Sequence, residues 1–328
     1  MLTQTDLLYR KFQWSDLEAA TELVNLCHTH DGLPWQLSLE EMEDELKGPN
    51  FDPEKEITVV HNPDGKLIAY GYVVQNPTTH SRGHGDCAVH PDYRGQGIGT
   101  RLLRESDSAF LNMAGSEYDD ETPINVQRWS PNQELTAVAL FEKEGYKLVR
   151  NFYTMRIAFT EPLQPATMPE GFELRPFDVE RDGRAVHQAQ QEAFRDHWGY
   201  VEDVEWEVWK HRFEAPHFQP DMWYIAWAGD EVAGVSMCNA AGEGRDDVAW
   251  VGTLGVRRAY RNRGLAKALL LHSFYDAQQR GFTSMELGVD ALNPTGALGL
   301  YERSGMHTSL VHSSYRKVLR GNPELIKD

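Results

Sequence analysis

Two stretches of this 328-residue chain, 86–110 and 250–280, carry one pattern. Each has a short apolar, β-prone run, then a turn holding glycine and arginine, then an amphipathic helical run. In the later stretch Leu265 and Leu269, then Ala266, Leu270, Phe274 and Ala277, recur at three- and four-residue spacing and so share one helical face. Gly281 follows as a helix stop. In the earlier stretch Ile98, Leu102, Leu103 and Phe110 make the same kind of face. Arg94, Gly97 and Gly99 precede Arg261, Gly264 and Ala266 by 167 positions. Arg10-Lys11-Phe12 precedes Arg175-Pro176-Phe177 by 165, and Leu140-Phe141-Glu142 precedes Leu300-Tyr301-Glu302 by 160. Three ordered matches at nearly constant spacing indicate an internal duplication, so the chain reads as two copies of one fold.

A chain of 328 residues is long enough for two domains, each with its own core. Three prolines fall within 160–169, which marks the join. The expected division is an N-terminal domain over 1–160, a linker over 161–169 and a C-terminal domain over 170–328. In the first copy, 7–12 reads as a strand, 16–28 and 39–46 as helices, the latter capped by Ser38 with Glu41, and 57–74 as a hairpin around 62–65. In the second copy, 172–177 reads as a strand and 183–194 as a helix. Strands follow at 223–228, 232–239, 249–256, 284–289 and 308–318, with a helix over 293–304 before the last. The fold class is α/β, with an α+β mixed sheet in each copy.

A net charge of −18 and a pI near 5.1 exclude a general nucleic-acid binder, which needs an extended basic face. Cys27, Cys87 and Cys238 form no C-x-x-C pair, so neither a disulfide scaffold nor a zinc site is expected. His28 and His30, and His80, His84 and His90, lack the i, i+4 spacing with a carboxylate that a zinc hydrolase uses. They read as surface or loop histidines, and no metal is expected. The N-terminus lacks a signal-peptide apolar core, and no run approaches the roughly 18 apolar residues of a membrane span. A cytoplasmic enzyme without membrane or nucleic-acid partners is the expectation. No feature of the sequence specifies an oligomeric state.

Against this acidic background, 257–275 holds five basic side chains and no acidic one. A strand leading through a basic, glycine-bearing turn into a helix N-terminus suits a phosphate, because first-turn N–H groups lack intrahelical partners and the helix dipole favours an anion. No G-x-x-x-x-G-K-[ST] occurs, and Gly95, Gly97 and Gly99 miss the G-x-G-x-x-G spacing because position 100 is threonine.

The run Arg261-x-x-Gly264-x-Ala266 resembles the R-x-x-G-x-G/A signature of the GNAT superfamily of N-acetyltransferases, here of a tandem two-domain type. The resemblance implies two tandem GNAT-like acyl-CoA N-acyltransferase folds with acetyl-CoA as cosubstrate. It implies that Leu254, Gly255 and Val256 pair with the pantetheine arm and that a strand N–H faces the thioester oxygen. Arg261, Asn262, Arg263, Gly264, Leu265 and Ala266 would surround the pyrophosphate. Asn293 matches a position that contacts pantetheine, and equally suits a helix N-cap. Tyr301 matches the tyrosine that protonates the leaving thiolate. In the first copy the same positions are Cys87, Ala88 and Val89, then Arg94, Gly95, Gln96, Gly97, Ile98 and Gly99. Phe141 stands there in place of Tyr301, so the N-terminal copy is expected to be non-catalytic.

The function implied is transfer of an acetyl group to a primary amine of a small molecule. The alternatives are an acetyltransferase for protein or peptide N-termini and a non-catalytic CoA-binding or sensing module. The general base stays open: 249–256 contains no acidic residue, leaving Asp247, Glu286, Asp290, Glu192 and Asp196. The aromatic segment 197–227 suits either an acceptor pocket or core packing.

Overall fold

The local patterns of the sequence return as regular elements in a computed structural model, which describes residues 6–48, 51–76, 79–198, 200, 203–214, 218–293 and 296–326. The first elements are β1 (Leu8–Lys11), α1 (Leu17–Asp31), α2 (Leu39–Leu46), α3 (Pro53–Glu56), β2 (Thr58–His61), β3 (Leu67–Gly71), β4 (Val74–Gln75), β5 (Arg82–Gly85) and β6 (Cys87–Val89). Next come α4 (Ile98–Ala114), β7 (Ile124–Pro131), α5 (Leu135–Lys143), β8 (Lys147–Ala158), β9 (Glu173–Pro176), α6 (Val179–Phe194) and α7 (Trp206–Trp209). The chain continues with β10 (Trp223–Ala228), β11 (Glu231–Ala240), β12 (Val248–Val256), α8 (Leu265–Gln279), β13 (Ser284–Asp290), α9 (Ala297–Arg303) and β14 (His307–Arg320). The capping box before α2 is formed: the Glu41 N–H donates to the Ser38 hydroxyl at 3.2 Å and the Ser38 N–H to the Glu41 carboxylate at 2.8 Å.

By compactness the chain divides into one unit that ends at Asn151 and resumes at His312, and a second unit, Phe152–Val311. This division differs from one drawn at the repeat join, because the last strand of each copy runs on into the other unit, β8 from Phe152 and β14 from His312. In the second unit β8 pairs antiparallel with β13, Phe152 opposite Asp290 through Ala158 opposite Ser284. In the first unit β14 pairs antiparallel with β7, from His312 opposite Pro131 to Arg320 opposite Ile124. Residues 160–169 therefore lie inside the second unit.

The first unit holds one antiparallel sheet, β1-β2-β3-β6, and a second run, β4-β5-β7-β14, in which β5 and β7 are parallel. The second unit orders its strands β8-β13-β12-β11-β10-β9, and only β12 and β13 run parallel. The apolar face of α8 (Leu265, Leu269, Leu270, Phe274 and Ala277) is buried against Met285, Leu287 and Tyr301. A separate cluster joins Val186 and Ala189 of α6 to Trp209, Trp223 and Trp227. Neighbouring residues of β11 divide between the two clusters, Val232 into the α6 side and Ala233 into the α8 side, as alternation across a sheet requires. Trp206, Phe213 and Phe218 pack against the α6 cluster, so this part of the aromatic segment is core.

Among the described residues no helix is long and apolar enough to cross a membrane, and no group of three or more His, Cys, Asp or Glu is placed to hold a metal ion. His28 departs from the surface-or-loop reading, being half-buried on α1; His90 lies in the loop after β6 but is buried, its ring accepting from the Asp92 N–H at 3.3 Å. Truncation after Val311 is expected to remove the partner of β7 and loosen the first unit selectively. Hydrogen exchange in 124–131 would rise by about tenfold or more while that of 284–290 stays protected, since exchange reports the local opening free energy.

Candidate active site

The second unit has one break in its sheet that creates space. Val248 pairs with Ser284 and the parallel ladder continues to Val251 with Leu287, where it ends. Beyond it β12 stays bonded to β11 as far as Val256, so only the edge facing β13 is open. The register against β11 shifts between Met237 and Cys238, leaving Gly252 as the extra residue of a bulge. Bulges bend a strand and increase its twist, which is how β12 leaves β13 at this point. A cavity of about 220 Å³ fills the gap, with 251–254 on one wall and 287–290 on the other. Gly255 lies just beyond: a Cβ there would sit 2.8 Å from the Phe194 ring, so only glycine lets α6 close on the strand.

The strand runs directly into the basic loop. Asn262 and Gly264 have φ of 62° and 80°, and Gly95 and Gly97 repeat this in the first unit with 76° and 84°. Left-handed residues in a turn are one way that backbone N–H groups come to present themselves to an anion, and these stand at the N-terminus of α8. The arginines do something different from what their charge suggests. Arg261 donates to the Val256 and Ala193 carbonyls at 3.1 and 2.9 Å and pairs with Asp196 at 3.1 Å. Arg258 also pairs with Asp196, and Arg257 with Glu192 and Glu231. These three side chains tie the loop to the end of α6. Arg263 and Lys267 are exposed and, among the described residues, have no carboxylate partner, so they carry the loop's free positive charge.

Tyr301, Ala297 and Asn293 close the cavity from the α9 side. Asn293 is not the N-cap of α9, which starts four residues later behind Gly296 at φ 73°. The Tyr301 ring is 7% exposed, and among the described residues nothing hydrogen-bonds its hydroxyl. Burial pushes its pKa up to about 12, which keeps the phenol protonated at neutral pH. Phe152, Phe194, His197 and Trp198 complete the lining. His197 and Trp198 open the aromatic segment that suited an acceptor pocket or core packing, whereas Phe152 and Phe194 were not singled out, because nothing in their local sequence marks them.

The five carboxylates left open by the sequence now separate. Glu192 and Asp196 are held by arginines as described. Glu286 is buried between Arg156 and Arg245, at 2.8 and 2.7 Å. Asp247 accepts from the Thr283 hydroxyl at 2.6 Å. Asp290 lines the cavity.

The first unit repeats the construction. Its parallel ladder ends at Gly85 with Arg128, and a cavity of about 580 Å³ opens beyond it. Cys87, Ala88 and Val89 line it with Arg94, Gly95, Gly97, Ile98 and Gly99, whereas Gln96 turns to the Asp92 carbonyl. Arg94 holds Asp31 through two bonds of 2.6 and 2.8 Å and donates to the Val89 carbonyl at 3.0 Å, the counterpart of Arg261 with Asp196 and Val256. Phe141 lines this cavity and packs on Tyr146 and Tyr315.

Residues 183–306 match the Acetyltransferase (GNAT) family and residues 53–148 the Acetyltransferase (GNAT) domain. A mycothiol acetyltransferase from Thermobispora bispora is 32% identical over 238 residues, covering 71% of this chain and 75% of that protein. The chain belongs to the GNAT acetyltransferase family. A second mycothiol acetyltransferase, from Nocardiopsis dassonvillei, is 30% identical over 267 residues, 74% of this chain and 76% of the other. Among solved structures, a GCN5-related N-acetyltransferase from Sphaerobacter thermophilus matches this GNAT protein with a TM-score of 0.81 at 30% identity, over 98% of each chain. A tandem GNAT protein from the clavulanic acid biosynthesis pathway shares the fold, with a TM-score of 0.70 at 13% identity over 95% of this chain and 98% of that one. The expected α/β tandem GNAT architecture and acetyl-CoA dependence are those of this family.

Arg261→Ala is expected to release the GNAT loop from α6. Hydrogen bonds to charged groups contribute about 1.5–3 kcal/mol, so amide exchange at Asn262 and Gly264 should speed by about tenfold or more, while the global unfolding midpoint changes little.

Proposed function

We propose that the second unit transfers the acetyl group of acetyl-CoA to a primary amine of a small molecule by direct attack, with Tyr301 as general acid. The observation that carries this reading is the placement of an unbonded, buried phenol in the cavity where β12 leaves β13. The open edge of Leu254, Gly255 and Val256 takes the pantetheine amides, with Asn293 across the gap. The loop 261–266 takes the pyrophosphate through backbone N–H groups, with Arg263 supplying charge. A preorganised strand N–H at the thioester oxygen stabilises the developing oxyanion. The thiolate leaves toward Tyr301, which burial keeps protonated and so able to donate.

The first unit takes CoA at its own loop, 94–99, and does not transfer, because phenylalanine at 141 has no proton to give. The relatives' name makes a mycothiol-type amine the first acceptor to try. CoA thiol release by the purified protein across a panel of small amines and peptides tests the reading. Tyr301→Phe should lower kcat by roughly 10²- to 10⁴-fold, the usual scale for loss of a general acid, with acetyl-CoA affinity nearly unchanged by calorimetry. Equal turnover by wild type and Tyr301→Phe would remove the tyrosine from the chemistry, and binding of acetyl-CoA with no thiol release with any amine would favour a binding module.

A further inference from the structure

An amine acceptor reaches a protein near neutral pH as an ammonium and must lose a proton before its nitrogen can attack. The strand that carries the thioester edge, Val248–Val256, has no side chain able to take that proton. Four of the five nearby carboxylates are engaged by arginine or threonine away from the cavity. Asp290 lines the cavity and accepts from the Leu292 N–H at 2.9 Å, which fixes a negative charge at the cavity wall.

His197 stands at the same cavity. It follows the end of α6, where its N–H donates to the Phe194 carbonyl at 2.9 Å, and its ring lies 4.3 Å from the Phe194 ring. Among the described residues nothing hydrogen-bonds either ring nitrogen, and the cavity lining brings the ring together with Thr253, Asp290 and Tyr301. We propose that His197 is the general base of the second unit, taking the proton of the acceptor ammonium while Asp290 draws that ammonium into the cavity. The assignment rests on the transferase reading of this unit.

The step balances. The imidazole takes one proton from the ammonium and passes it to solvent. The freed lone pair forms the C–N bond at the thioester carbon, the C–S bond breaks, and the thiolate takes the Tyr301 proton. The second proton lost from nitrogen restores the tyrosine through solvent. Burial holds the His197 pKa below its usual 6.5, and the Arg261 charge adds to this, while Asp290 and Asp196 oppose it. The imidazole is therefore neutral at pH 7, in the form a base requires. Activity should fall as pH drops through that lowered pKa.

The test uses the full chain, acetyl-CoA and the best amine of the panel, with kcat/KM followed from pH 5 to 9. His197→Gln is expected to lower kcat by roughly 10²- to 10⁴-fold and to abolish the acid limb, with acetyl-CoA affinity unchanged. His197→Ala should regain activity on addition of imidazole, an outcome that a packing role would not produce. Tyr301→Phe should retain the acid limb. A His197→Gln protein with turnover within about twofold of wild type and the same acid limb would overturn this assignment alone. A wild-type protein that binds acetyl-CoA but releases no thiol with any amine would overturn the transferase reading and the role of His197 with it.

Discussion

The structure of the second unit depends on one separation: β12 leaves β13 after Val251 and Leu287 while keeping its bonds to β11. A strand edge buried without hydrogen-bond partners is unfavourable, so a protein that opens its sheet here must offer the edge to something. The bulge at Gly252 directs the strand away, and the same departure makes the cavity that Tyr301 lines. Because β12 continues into the loop and then α8, the open edge and the left-handed turn lie on one continuous run of backbone.

The loop shows how charge and backbone divide the work. Its conspicuous arginines are mostly occupied inside the protein: Arg261 and Arg258 with Asp196, Arg257 with Glu192 and Glu231. They hold a turn in which Asn262, a non-glycine residue, is left-handed. The N–H groups are then preorganised, and the free charge falls to Arg263 and Lys267. The same arrangement occurs at Arg94 and Asp31 in the first unit, which places the duplication in the support of the loop as well as in the loop itself. The units diverge in the cavity, about 580 Å³ with Phe141 in the first and about 220 Å³ with Tyr301 in the second.

Much of this was legible before any coordinates. The helical face of α8 and the box before α2 are local patterns, set by residues within about one turn of each other, and each formed where expected; the repeat was legible from motifs recurring at nearly constant offset. Tyr301 was named because Leu300-Tyr301-Glu302-Arg303-x-Gly305 resembles a family motif, and the structure puts it in the cavity lining. The helix after β13 began later than the sequence suggested, since Gly296 takes a left-handed conformation that ends one turn and starts another.

What the sequence by itself determined is the pair of copies, because three ordered motifs recur at nearly constant offset, and the helical face of each loop's helix, because that rests on short-range spacing. Which sheet a strand joins is a different kind of fact. Alternation along β8 and β14 identifies them as strands but contains nothing about their neighbours, and only the tertiary structure decided that each completes the other unit. The same holds for the cavity. His197, Asp290 and Phe152 come from segments far apart in the chain, and their meeting with Tyr301 is a product of packing, which no single stretch of sequence encodes.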